Sequence, residues 1–201
     1  MVKSSRGLDK YTRDIWQPFF AREFSNIRDK RILDLGCGFC RYTVDLAKHN
    51  DVVRVDKSEV SLCDYVACAE SLPFDDDYFD EVIAIGLLDY SDPELTIREI
   101  FRVLKVGGKV RLLVPNSLNP YMMISTRFGE NNHVKRAYYE DELFYLLSDY
   151  GFKVIRVFVM GFCFWVPTWF LQELCIPIFK IMDFITMGKF GNNIYMVGEK
   201  Q

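Results

Sequence analysis

The sequence predicts an α/β fold, a mostly parallel sheet with helices on both faces. Three observations carry this. Short runs of aliphatic and β-branched residues recur along the chain, beginning with Arg31-Ile32-Leu33-Asp34-Leu35. Stretches with apolar residues three and four apart alternate with them. Alternating strands and helices imply right-handed crossovers, which stack helices on both sides of parallel strands.

The elements follow in order. Leu8, Tyr11, Ile15, Trp16, Phe19, Phe20 and Phe24 have helical spacing, with a break expected at Pro18. Arg31–Leu35 is the first strand, and a helix is expected from Arg41 to Lys48. Val52–Asp56 is the second strand, Ser58–Leu62 a short helix and Tyr65–Cys68 a short third strand. Asp75-Asp76-Asp77 is expected to be a solvated turn, because like charges repel. Val82–Gly86 is the fourth strand. Asp92 can cap the next helix, and Pro93 suits its first position. Ile97, Ile100, Phe101 and Leu104 form its buried stripe. Gly107-Gly108 turns the chain into a fifth strand, Lys109–Val114. A helix carrying Leu143, Leu146, Leu147 and Tyr150 stops at Gly151. Phe152–Val159 and Ile194–Gly198 complete seven strands.

The chain has 201 residues, half of them hydrophobic, which suits one folded domain. A net charge of −3 argues against a nucleic-acid surface as the main function. The six cysteines are scattered, and residues 1–10 are polar, so a reduced, cytoplasmic chain is expected.

Ligands of such sheets sit beyond the carboxyl ends of the strands. The first strand ends in Asp34-Leu35-Gly36-Cys37-Gly38, and Asp56 ends the second, 18 residues after Gly38. Two glycines let the backbone turn and approach a ligand closely. A carboxylate at Asp56 can accept both hydroxyls of a ribose. A dinucleotide cofactor would want a third glycine where Arg41 stands, which disfavours a nicotinamide oxidoreductase. Cys37-Gly38-Phe39-Cys40 has Cys-x-x-Cys spacing, but no further Cys or His pair completes a zinc site.

Ile32–Gly38 resembles the first motif of class I S-adenosylmethionine-dependent methyltransferases. Val53–Ser58 resembles the second, Ala69–Phe74 the adenine-contacting segment, and Phe79–Ile83 the fourth strand. Leu104–Lys109 resembles the turn into the fifth, so the likeness runs from Ile32 to Gly151. It implies a Rossmann-like, doubly wound seven-stranded sheet whose last strand is antiparallel. It also implies S-adenosylmethionine as cofactor, with Gly36, Cys37 and Gly38 around its methionine part and Asp34 acting on the ammonium. Asp56 would hold the ribose, Lys57 would lie beside the adenine, and Glu70 and Ser71 near its edge. Ile85, Gly86 and Leu87 would form the floor under the sulfonium, and Tyr11 would close over the cofactor. Cys40 stands where the family often has a third glycine.

An acceptor that must lose a proton needs a general base. Asp89, in Leu88-Asp89-Tyr90 after the fourth strand, is one candidate. His133, in the polar loop that leads to Tyr138, is the other. It resembles the His and Tyr placed before the same helix in small-molecule methyltransferases.

Eight of the 17 Phe and two of the three Trp fall between Phe152 and Phe190. Val157–Gln172 holds sixteen residues without a charge, too few for a membrane span and interrupted by Gly161 and Pro167. The expected organisation is a helical cap at 1–28, a cofactor-binding core at 29–156, an apolar insertion at 157–190 and the last strand at 191–201. Three readings compete for the insertion: a thick core, a roof over an apolar acceptor or a peripheral membrane face at 158–190, and a homodimer contact. Together these features favour methyl transfer to a small-molecule or lipid-like acceptor, with no nucleic-acid partner. The alternatives are an inactive cofactor-fold binding module and a membrane-surface lipid or quinone methyltransferase.

Overall fold

The computed structural model describes residues 16–59, 62–120, 135–160, 181 and 189–201. Seven strands form one sheet: β1 (Arg31–Leu35), β2 (Asp51–Asp56), β3 (Tyr65–Val66), β4 (Phe79–Ile85), β5 (Leu104–Pro115), β6 (Phe152–Met160) and β7 (Asn193–Lys200). Their order is β3-β2-β1-β4-β5-β7-β6. The first five are parallel to one another, and β7 runs antiparallel to both β5 and β6. This is the doubly wound sheet the resemblance implies. The strand order reverses beside β1, so the carboxyl ends of β1 and β4 flank the crevice where such folds bind ligands.

Alternation along each strand sends residues to two cores. Ile32, Ile83, Leu113, Tyr195 and Val197 meet Trp16, Phe20 and Phe24 on one face. The aromatic residues come from a helical stretch over 16–23, labelled α1, and the turn after it. Phe20 stacks on Phe24 at 5.2 Å between ring centroids and meets the Tyr195 ring at 5.7 Å. Leu33, Val82, Leu112 and Met196 point the other way, onto α2 (Pro93–Val103) and α3 (Glu140–Asp149). Asp92 caps α2, its carboxylate accepting the Leu95 N–H at 3.0 Å, with Pro93 in the first turn.

A buried ionic network fastens α1 to the sheet. Arg111 on β5 donates through Nε to Glu81 on β4 at 2.6 Å and through Nη1 to Glu23 on α1 at 2.8 Å. Arg156 on β6 donates to the same Glu23 at 2.7 Å, and the Tyr195 hydroxyl on β7 lies 3.2 Å from Arg111 Nη1. Burial works against the Arg111 charge, but its bond to Glu81 and the neighbouring acids hold its pKa above the ordinary value.

Several local expectations need correcting. The helix expected at Arg41–Lys48 is a series of turns ending in one 3-10 turn, Leu46–Lys48. Cys40 enters with φ +53. Tyr42, Thr43 and Val44 are poor helix formers, and the Thr43 hydroxyl is committed to Asp34. A cavity of about 820 Å³ lies between α1 and residues 41–49, where that helix is absent, and none of the expected site residues lines it. The described helix passes through Pro18 without a break. No helix forms in the described part of 58–62, where Ser58 instead bonds back to Asp56. The acidic run is the exposed turn expected, and within it Asp76 also pairs with Arg102 at 2.9 Å and Asp77 with Lys200 at 2.8 Å. Leu104 opens β5 rather than extending the helix.

Candidate cofactor and acceptor site

The site grows from the ends of β1, β2 and β4. Gly36 follows β1 with φ +71, and a Cβ there would come 2.9 Å from Leu87 Cδ1. Only glycine fits this backbone without strain. Gly86 follows β4 with φ +64 and has open space where a Cβ would be. The two bare turns face each other across a cavity of about 130 Å³. Of the expected residues, Gly36, Asp56, Lys57, Glu70, Gly86 and Leu87 line it, joined by Ala67, Ala69, Tyr90 and Ser91. Acid, bare backbone and small apolar walls suit a ribose and a flat base, so the residues present fit the adenosyl part of S-adenosylmethionine.

Asp56 is the polar centre. Its Oδ2 accepts the Gly38 N–H at 3.0 Å, and Oδ1 accepts the Ser58 N–H at 2.9 Å and the Ser58 hydroxyl at 2.7 Å. Partial burial disfavours its charge, but these three bonds outweigh that and hold its pKa below the ordinary value. The acid therefore stays an acceptor at neutral pH. Lys57 reaches the Tyr90 carbonyl at 3.4 Å, and Glu70 accepts the Asp92 N–H at 3.0 Å, tying the cavity wall to the start of α2.

Other expected residues stand outside the cavity wall. Asp34 is buried beneath the glycine turn and accepts the Thr43 hydroxyl. Burial pushes its pKa up to about 6 against the pull of that bond. It braces the loop from below. Cys37 is buried, and Gly38 spends its N–H on Asp56. Ile85 packs against the α1 core, which draws it away from the cavity. Ser71 is exposed on the turn after Cys68. Tyr11 and His133 lie outside the described residues, as does most of the 157–190 insertion.

Asp89 lies two residues beyond Leu87. It is 5% exposed, and its Oδ1 has no hydrogen-bond partner among the described residues. Burial raises its pKa to about 6, opposed only by a bond to its own N–H. Tyr138 is fully buried beside it and donates its hydroxyl to the Leu88 carbonyl at 2.8 Å. A buried carboxyl whose pKa is pushed towards neutrality thus stands two residues beyond the crevice wall at Leu87. Tyr90 and Ser91 were not singled out as cavity residues from sequence. Their signal was their place after Asp89, at the mouth of the same turn.

The fold is shared with solved S-adenosylmethionine-dependent methyltransferases, and part of the chain carries a methyltransferase domain. Residues 33–112 match the family model described as a methyltransferase domain. Among curated relatives, the chain is 49% identical over 61 residues to the ubiquinone/menaquinone biosynthesis C-methyltransferase of Xylella fastidiosa, a match covering 29% of this chain and 24% of that protein. It is 32% identical over 161 residues to the chloroplastic 2-methyl-6-phytyl-1,4-hydroquinone methyltransferase of Spinacia oleracea, covering 72% of this chain and 44% of that protein. The chain thus spans less than half the length of either. A solved S-adenosylmethionine-dependent methyltransferase from Archaeoglobus fulgidus superposes with a TM-score of 0.64 at 19% identity, covering 98% of this chain and 96% of that one. One from Mesorhizobium loti gives 0.64 at 18% identity, covering 91% and 96%.

Proposed function

We propose that this chain transfers a methyl group from S-adenosylmethionine to a small, lipid-like acceptor of the quinol type. The observation that carries this reading is the pairing of the Gly36–Gly86 crevice and its Asp56 acceptor with the buried Asp89 carboxyl two residues beyond the cavity wall. The bound cofactor supplies an electrophilic methyl on a sulfonium. Asp56 holds the ribose, and the bare backbone at Gly36 and Gly86 admits the rest without side-chain interference. Asp89 would take the acceptor's hydroxyl proton and so raise the electron density of its ring; the ring carbon would gain the methyl, the cofactor's sulfur would keep the electron pair of the broken bond, and the ring carbon's own proton would leave to restore the aromatic ring. Tyr138 fixes the Leu88 carbonyl and so holds the Asp89 turn in place. A hydroquinone in the name of one relative and quinone biosynthesis in the name of the other support the acceptor class.

The apolar insertion fits the acceptor side. Phe158 and Phe190, at its described ends, are both exposed, and so is Ile181. No helix among the described residues is long and apolar enough to cross a membrane. A peripheral contact through 158–190 is the form of membrane association this supports. Flotation with liposomes tests it: wild type should float and Trp165→Ala/Trp169→Ala should not. Absence of binding by either protein would exclude the contact.

Calorimetry tests the cofactor assignment. Asp56→Ala should weaken S-adenosylmethionine binding more than tenfold, about 1.4 kcal/mol or more. Unchanged affinity would remove Asp56 from the ribose. Turnover of labelled cofactor against a panel of lipids, quinols and sugars tests the acceptor, with transfer to quinols expected.

A further inference from the structure

The cofactor loop contains two thiols that its function as a nucleoside cradle does not use. Cys37 and Cys40 are 8% and 3% exposed, and both are free. The Cys40 N–H donates to the Cys37 carbonyl at 2.7 Å, closing a tight turn over Gly38 and Phe39. Such a turn brings its end Cα atoms within about 7 Å, and a disulfide spans about 4.4–6.8 Å. In the reduced state each leans on a carbonyl, Cys37 on Gly38 and Cys40 on Leu62, both at 3.9 Å.

We propose that Cys37 and Cys40 form a reversible disulfide that locks the cofactor loop and weakens cofactor binding. The binding consequence rests on the S-adenosylmethionine reading above; the disulfide itself does not. The chemistry is exchange with a small-molecule disulfide. One thiolate attacks the oxidant's sulfur and expels one thiolate, forming a mixed disulfide. The second cysteine then attacks the protein-bound sulfur and expels the other half. Two protein thiols lose two protons and two electrons, and the oxidant leaves as two thiols.

The direction of the effect follows from Gly38. It lies inside the Cys37–Cys40 turn, and its N–H occupies Asp56 Oδ2, an oxygen the ribose needs. The cavity of about 130 Å³ is smaller than the roughly 300–1,000 Å³ of ordinary ligand sites. The loop must therefore give way when the nucleoside enters. A disulfide across Gly38 opposes that movement. Burial holds both thiols protonated, so the exchange speeds up as pH rises.

The test uses the full chain equilibrated with oxidised or reduced glutathione. Peptide mapping of the wild type should show a link between Cys37 and Cys40, reversed by dithiothreitol. Calorimetry should show S-adenosylmethionine binding at least tenfold weaker in the linked form. Cys40→Gly is the control, because glycine suits φ +53 and the other five cysteines remain. Its affinity should be the same under both conditions. No Cys37–Cys40 link while Cys63 and Cys68 are modified would overturn the proposal, as would a link that leaves the affinity unchanged. Failure of the reduced wild type to bind the cofactor would instead overturn the cofactor reading, with the peptide map still deciding whether the disulfide forms.

Discussion

Asp89→Asn should lower methyl transfer by about 10²–10⁴-fold and leave S-adenosylmethionine affinity intact. Asparagine keeps the size of the side chain and, like the protonated acid, offers one acceptor oxygen and a donor, but it cannot take a proton. The pH profile gives a second readout. With its pKa pushed up to about 6, Asp89 is the competent base only above that value. The wild-type rate should rise through pH 6 and flatten above it, and the variant should lose that limb. An undiminished rate in the variant would remove Asp89 from the chemistry.

The same group makes a stability prediction of opposite sign. Folding raises the Asp89 pKa from 3.8 to about 6, so the folded state prefers the protonated form. Its contribution to stability is fully present below the unfolded value and is lost as pH climbs through the folded one. Near neutrality the buried charge costs roughly 3 kcal/mol, at about 1.4 kcal/mol per pKa unit. Asp89→Asn should therefore melt higher than the wild type at pH 8, with the gap closing towards pH 4. A purely structural acid with satisfied bonds would show the reverse.

The second large effect is at Arg111. Arg111→Ala should destabilise the fold by about 3–5 kcal/mol, the usual result of breaking one side of a buried ion pair. The side chains of Arg111, Glu81 and Glu23 are 10%, 9% and 7% exposed, so water cannot replace the lost partner well. Glu81 would keep a buried charge with no counterion. Glu23 would retain Arg156. Arg111→Met/Glu81→Leu should recover much of the loss, because matched apolar groups restore packing without an orphaned charge. Urea denaturation measures both variants. A loss below about 1 kcal/mol for Arg111→Ala would rank the network with exposed surface pairs.

The parts of the site that sequence revealed are those held by the backbone. Gly36, Gly38 and Asp56 are separated by fixed, short intervals, and the positive φ at the glycines is a local demand. The sheet was legible for the same reason, since strand runs and capping residues such as Asp92 act on their neighbours. The Arg111 network was not legible. Glu81 lies 30 residues from Arg111, and Glu23 lies 88 residues away. The helix misread at Arg41–Lys48 failed for a related reason. Its apolar spacing is real, but Thr43 is drawn to Asp34 by a bond made across the fold. Asp89 was visible as a candidate by position only. Its burial and its unpartnered oxygen emerge from the packing of Leu88 and Tyr138.

The placement of β7 between β5 and β6 also bears on how the chain acquires its shape. Among the first four strands the widest pairing, β1 with β4, joins Ile32 to Glu81, whereas β5 must wait for β7, joining Lys109 to Glu199. β5 and β6 meet only through β7, so each presents an open edge of unpaired N–H and C=O groups until residues 193–200 arrive. That half of the sheet depends on a closure of high contact order, which is slow. During synthesis β5 keeps an open edge until β7 pairs with it, whereas β6 keeps its outer edge even in the folded sheet.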